Sequence, residues 1–451
     1  MEGVNAPLAK GGPGLVPGVH CATLACEDLY ALPERLGDDP AFLPQIGWSD
    51  SFGGGERWLA LGEADSLMVP AGAGFEAALR LLDSARERLR ERFGTGGEAR
   101  FARYFGGMAF DPREPGNPDW AAGGAARFVL PRVLLRQAGG ETQAHVFGAP
   151  EAEARRLIGL LKAAASEPMP AATPVRLVER ANPLARAHWV GAVSKALGAI
   201  ASRAVRKVVL ARDRVLDSGQ AIDPWALMRL VHAQDPHGSR FCLRFDTHAA
   251  FMGASPERLV SQRGRRLAID CLAGTIARGE TPGEEARNAA TLLASEKDGR
   301  EHRIVREEVL AAIAPHVLSH ELPDAPSILP LPGIQHLWSP IRAQLRESVG
   351  LGELVGSLHP TPAVGGSPRP AAMDMIRELE GRSRGWYAGV VGWIGADEAD
   401  FAVAIRSGLV RGPRLTVFGG AGIVRGSDPL AEWDETARKA TSFVNLFAER
   451  G

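Results

Sequence analysis

The chain has 451 residues, 45% of them hydrophobic and 23% charged, with 52 basic groups against 53 acidic ones. That is the composition of an ordinary globular protein with material for a large core. So even a balance, with no basic tail or block, argues against nucleic acid or an anionic membrane as the main partner and favours a small ligand.

The chain opens on "MEGVNAPLAKGGPGLVPGVH", so residues 1–20 are expected to be loose. This stretch has neither a cationic start nor an apolar stretch of signal-peptide type, and no later run is long enough to span a membrane, which predicts a cytoplasmic protein. Cys21, Cys26, Cys242 and Cys271 show no CxxC spacing, so they suggest neither a disulfide framework nor a zinc site. A helical "APEAEARRLIGLLKAA" leads into a breaker-rich "AAASEPMPAATPV" at 163–175, which divides residues 21–175 from residues 176–451. Beyond it, short β-type runs ("KVVLAR", "FCLRF", "AAFMG", "ERLVSQ", "RLAIDCLAG") follow one another with little between them. Such spacing predicts antiparallel hairpins and an α+β fold.

The first of these runs carries an anomaly. Only six lysines stand among the 52 basic residues, and one of them is Lys207. A drift toward arginine spares lysine where a guanidinium cannot substitute, and arginine cannot lose its proton near neutrality whereas a desolvated lysine can. Alternation along "KVVLAR" puts Lys207, Val209 and Ala211 on one face, where an ammonium must be paired or neutral. A lysine snorkelling from a strand end is the plainer alternative.

Downstream, "GASPERLV" places Glu257 after a turn at the start of a strand, either as a proton donor to match a lysine base or as an ordinary solvated turn acid. The helix in "SEKDGREHRIVREEVLAAIAPHV" sets Asp298 and Glu301 on the side continued by Val305, Val309 and Ala312. Then come Tyr387, one of three tyrosines, and Arg406 on a β-type run, both suited to gripping a carboxylate. Gly419, Gly420 and Gly422 precede a final helix and allow close approach of an anion to the backbone. That helix, in "DPLAEWDETARKATSFVNLF", opens with Asp428 as cap and Pro429 in its first turn, and its stripe of Glu432, Glu435 and Lys439 continues into Phe443, Leu446 and Phe447. Acids facing a core need cations, and four such carboxylates suit a hard ion such as Mg²⁺. Acids meeting the dipoles of two helix N-termini would leave the same pattern.

In order along residues 185–450, "KVVLAR", "GASPERLV", "LAGTIARG", "SEKDGREH", "IQHLWSPIRAQL", "HPTPAVGG", "RGWYAGVVGW", "AIRSG" and "GAGIVRGSDPLAEWDET" resemble the chorismate-utilising enzymes, the anthranilate, aminodeoxychorismate, salicylate and isochorismate synthases. "FGGMAFDP" in the first half is similar to the isochorismate branch. The resemblance implies a single domain of two mainly antiparallel β-sheets packed face to face with helices outside, and residues 176–451 as the chorismate-binding catalytic region. It implies that Lys207 activates water and Glu257 protonates the departing hydroxyl. Glu301 and Glu435 would ligate Mg²⁺, with Asp298 and Glu432 supporting. Gly274, Thr275, His336, Thr361, Tyr387, Arg406, Gly420, Gly422 and Lys439 would surround the substrate.

Within that family, members that use ammonia usually carry glutamine at the Lys207 position. The aminodeoxychorismate branch usually has a lysine at Ala273, and salicylate synthases depart from "HPTPAVGG". The pattern therefore implies an isomerase that makes isochorismate with water, with no obligatory glutaminase subunit. A salicylate or anthranilate synthase, or a silent chorismate-binding protein, are the other readings.

Overall fold

The computed structural model describes residues 19–448 apart from 51–54, 95–99, 172–173 and 236–237, so the expected loose terminus lies almost wholly outside the described residues. The β-type runs do form antiparallel hairpins. Among the described residues they build a 12-stranded and a 10-stranded sheet, in which the strand pairings are antiparallel.

Alternation explains how the sheets stack. In the strand Ser239–Arg244, Phe241 and Leu243 point one way and Cys242 the other. The first pair joins a core that also takes Trp48, Val208 and Leu210 from the larger sheet and Phe105, Phe128, Ile269 and Phe401 from the smaller, so the sheets meet face to face. Cys242 joins a second core, in which Met252, Leu415 and Val417 on the outer face of the larger sheet are covered by the helical residues Leu157, Trp225, Met228 and Phe443. Both sheets draw on both sides of the 163–175 connection. Ser239–Arg244 pairs with Gln45–Asp50 in one, and Val390–Ile394 with Tyr104–Met108 in the other.

Four strands and three helices position the site. Strand β1 (Lys207–Asp217) and strand β4 (Arg414–Ile423) pair along their whole length in the larger sheet, while β2 (Arg266–Ala277) and β3 (Ile334–Leu345) pair in the smaller. Helix α1 (Glu296–Ile313) packs on β2, helix α2 (Arg369–Glu380) on β1, and helix α3 (Pro429–Val444) on β4. Asp428 caps α3 through the amides of Leu430 and Ala431, as its sequence predicts. The helix stops at Val444, however, so Leu446 and Phe447 extend its apolar stripe from beyond its end.

Candidate active site

Lys207 begins β1 and is fully buried, with Nζ 3.0 Å from Glu301 Oε1 on α1. The two are close enough for an ion pair, although Nζ makes no aligned hydrogen bond. What admits the carboxylate is Gly422, opposite Val209 on β4, where a Cβ would lie 2.0 Å from Glu301 Oε1 and 2.9 Å from Lys207 Cε. Glu257 sits between the strands Ala250–Ser255 and Arg258–Arg263, 2% exposed, and accepts a hydrogen bond from Thr361 Oγ1 at 3.3 Å. Burial pushes its carboxyl up to about 8 against the pull of the Lys207 charge, so it keeps its proton at neutral pH.

The two acid-bearing helices converge beside this pair. Glu301, Glu432 and Glu435 are buried and Asp298 is half-buried. Lys297 Nζ lies 2.7 Å from Glu432 Oε1 and 3.9 Å from Glu435 Oε2, and Lys439 Nζ lies 2.8 Å from Glu435 Oε1. Burial, then repulsion from Glu435, raises the Glu432 carboxyl above its usual range. Burial opposes charge on Glu435 as well, but Lys439 and Lys297 more than offset it and hold that carboxyl low. Asp298 also does the plain work of a first-turn acid: Ser295 caps α1 at the Asp298 amide and donates its hydroxyl to the Asp298 carboxylate.

A cavity of about 70 Å³ opens against these groups. Its lining holds Glu257, Gly274, Thr275, Glu301, His336, Tyr387, Arg406, Gly420, Gly422 and Lys439, drawn from segments up to 182 positions apart in sequence. Gly274 makes a β-bulge in β2 at φ 80°, a left-handed backbone that suits glycine, and this sets Thr275 opposite His336 on β3. His336 Nδ1 lies 3.2 Å from the Gly274 carbonyl and 3.0 Å from Thr275 Oγ1. Burial drives its imidazole down to about 3, so the ring is neutral, and the carbonyl contact fixes the proton on Nδ1 and leaves Nε2 as an acceptor. Tyr387 stacks on Phe418 with ring centroids 4.8 Å apart. A larger cavity, about 420 Å³, lies elsewhere between Trp58, Arg103, Arg136, Arg263 and Trp393. Its arginines pair with acids of the same wall, such as Glu56, Glu398 and Asp400, and none of the residues singled out from the sequence lines it.

The structure corrects the sequence reading in several places. Lys207 does not line the cavity but lies behind Glu301 and Gly422, and Thr361 reaches the site only through Glu257. Arg406 is not on a strand: the run "DFAVAIRSGLV" breaks into Glu398–Val403 and Ser407–Arg411, and Arg406 sits in the break at φ 47°, its guanidinium 3.0 Å from Asp235. The glycines of "GGAGI" are not a loop at a helix N-terminus. They lie within β4, where Gly419 admits the α3 backbone at Thr436 and Gly420 faces the Tyr387 hydroxyl. Lys439 lines the cavity as expected, and there it is paired with Glu435 and donates to the Gly420 carbonyl at 3.1 Å. Lys297 and Asp235 were missed. Lys297 carried the same signal as Lys207, being one of the six lysines, whereas nothing in the sequence ties Asp235 to Arg406.

Residues 47–447 match the model of the family described as chorismate binding enzyme. The salicylate biosynthesis isochorismate synthase of Pseudomonas aeruginosa is 37% identical over 77% of this chain and 75% of its own length. The isochorismate synthase MenF of Bacillus subtilis is 36% identical over 76% of this chain and 74% of its own length. The solved structure of MenF, the menaquinone-specific isochorismate synthase from Escherichia coli, superposes with a TM-score of 0.77 at 25% identity over 96% of both chains. A family model that spans nearly the whole described chain, together with relatives this similar, shows that the chain belongs to the chorismate binding enzymes.

Proposed function

We propose that the chain converts chorismate reversibly into isochorismate, with Lys207 as base and Glu257 as acid. The observation that carries this reading is the state of Glu257: an enclosed carboxyl that holds its proton to about pH 8 and lies near enough to the Lys207 charge to feel its pull. Water attacking C2 of the ring gives a proton to Lys207 as the new C–O bond forms. The ring double bonds shift, the C4–O bond breaks, and Glu257 delivers a proton so that the hydroxyl leaves as water. Arg406, Tyr387 and Lys439 supply the charge and hydrogen bonds for the substrate's two carboxylates, and His336 Nε2 supplies an acceptor in the same wall. A cavity of about 70 Å³ is small for such a ring, so the lining must part to admit it.

The residues between α1 and α3 fit Mg²⁺. Their donors are all carboxylate oxygens, the kind a hard cation takes, and Lys297 already brings a positive charge to within 2.7 Å of Glu432 Oε1. Among the described residues no three His, Cys, Asp or Glu side chains enclose an ion by themselves, so waters and substrate would have to complete its shell. Glu301 and Glu435 are its proposed ligands, with Asp298 and Glu432 behind them. Bound there, the ion would supply Lewis-acid chemistry to the ring carboxylate.

Among the described residues no helix is long and apolar enough to cross a membrane, and the reaction is read as cytoplasmic, with no glutaminase partner because water is the nucleophile. Incubation with chorismate and Mg²⁺ and chromatography of the products tests the reading. Isochorismate alone is expected, with or without ammonium; anthranilate or salicylate as the main product would overturn it.

A further inference from the structure

Strand β1 is bonded on one side by β4 throughout, but its other edge is covered only in part. Gly366–Ser367 pairs with Lys207 and Val208, and Val178–Glu179 with Leu216 and Asp217. Between these short partners the Val209 amide donates to the Gly365 carbonyl at 2.7 Å, while the Val209 carbonyl and the Ala211 amide face no strand. Two side chains stand in for one. Arg384 Nη2 donates to the Val209 carbonyl at 2.8 Å, and the Ala211 amide donates to Glu380 Oε1 at 2.7 Å. Arg384 and Glu380 are themselves a buried ion pair, with Nε 2.9 Å from Glu380 Oε2 and Nη2 2.5 Å from Oε1.

The remaining arm of the guanidinium, Nη1, donates to the Val364 carbonyl at 2.8 Å. Val364 and Gly365 close a turn on the Thr361 carbonyl, and Thr361 is the residue whose hydroxyl holds Glu257. Phe110, from the "FGGMAFDP" run, covers the guanidinium at 4.2 Å from its ring centroid. Beside the backbone bond from Val209 to Gly365, one side chain therefore fastens the strand two residues after Lys207 to the turn three residues after Thr361. Neither Arg384 nor Glu380 lines the cavity.

We propose that Arg384, braced by Glu380, is a positioning residue that sets the distance between base and acid. The inference rests on the assignment of Lys207 and Glu257 made above. Three donors fixed in one plane hold a carboxylate and two carbonyls at once; lysine keeps the charge but not the fork, so the strand and the turn would drift apart by a fraction of an ångström. Misplacement on that scale can cost up to about 10²-fold in rate.

The test is steady-state kinetics of Arg384→Lys and Glu380→Gln, each checked for folding, with Arg229→Lys as control for loss of a half-buried arginine pair elsewhere (Arg229 binds Asp28 and Glu34). Arg384→Lys is expected to lower kcat by about 10- to 100-fold with KM within about twofold, and to shift the pH profile of kcat. Glu380→Gln, which can still accept from Ala211, is expected to lose less than Glu380→Ala, and Arg229→Lys to keep kcat and the profile. In a Lys207→Ala background the Arg384→Lys loss should largely vanish, because the base it positions is gone. Wild-type kcat and pH profile in folded Arg384→Lys, or an undiminished loss in the Lys207→Ala background, would overturn the positioning role while leaving the acid–base assignment standing. If Lys207→Ala alone kept normal turnover, assignment and positioning role would fall together.

Discussion

At the scale of single residues, the burial that makes Glu257 an acid also gives it a signature in stability. Its folded carboxyl titrates at about 8 against an ordinary 4.5, so between those values the folded state holds a proton that the unfolded state has released. Stability from this group is therefore full below about pH 4.5, falls as pH rises, and levels off above about 8. Denaturant unfolding of wild type and Glu257→Gln at roughly pH 6 and pH 8 should show wild type losing on the order of 2 kcal/mol more than the variant. Equal losses would mean that Glu257 is not held protonated by the fold. In turnover, Lys207→Ala and Glu257→Gln should each lose about 10²-fold or more, and Lys207→Arg should not restore activity, because general acid–base catalysis is worth about 10²–10⁴. As both serve one displacement, the double variant should lose far less than the product of the single losses. Multiplicative losses would separate the two residues.

At the scale of elements, the site depends on how closely β4 lets α1 approach. Each Val, Ile or Phe that α1 and α3 bury contributes roughly 1.5–3 kcal/mol, and that packing carries Glu301, Glu432 and Glu435 inward beside Val305, Val309 and Phe443. Gly422→Ala places a methyl 2.0 Å from the Glu301 carboxylate, so the acid must swing away while the helix stays packed. The expected result is a folded protein that needs about tenfold or more Mg²⁺ for half-maximal activity, measured by titration after EDTA. EDTA alone should abolish turnover and Mg²⁺ restore it, and Glu301→Gln and Glu435→Gln should raise the requirement in the same way. Full activity in chelator would remove the ion from the mechanism. Much of this was legible beforehand, because helical period alone put Glu301 on the stripe of Val305 and Val309, and Asp428-Pro429 announced the start of α3. The partner across the gap was not legible. That Gly422 faces Glu301, that Arg406 sits in a break, and that Asp235 answers it are facts of tertiary register, and no local pattern encodes which strand lies opposite which helix.

At the scale of the whole molecule, the breaker-rich connection at 163–175 suggested two halves, and residues 176–451 hold every catalytic candidate. Yet each sheet is completed from across that connection, through Gln45–Asp50 in one and Tyr104–Met108 in the other. Expressed alone, residues 176–451 would expose two long unpaired strand edges and the apolar faces behind them, which invites aggregation. We expect that fragment to be insoluble or inactive, and to regain soluble activity when residues 19–175 are supplied as a second chain. A folded, active 176–451 would show that the first half is dispensable. The resemblance implied one domain, but which strands are shared was not legible, since strand order is set by contacts between residues hundreds of positions apart.

The enclosure of the pair has a last consequence, in the history of each enzyme molecule. With Lys207 as base and Glu257 as acid, as proposed, a forward turnover would end with Lys207 holding the proton taken from water and Glu257 stripped of its own. That is the form suited to run isochorismate backward, and it differs from the form that accepted chorismate. With Lys207 at 0% and Glu257 at 2% exposure, neither can reset by simple exchange with bulk water while the walls are closed. On that proposal the free enzyme would exist in two versions, with recovery between them a step of the cycle. Isochorismate added as product should find a version that chorismate cannot compete for, so its inhibition of the forward rate should persist at saturating chorismate. Purely competitive inhibition would mean that the resetting proton moves faster than everything else.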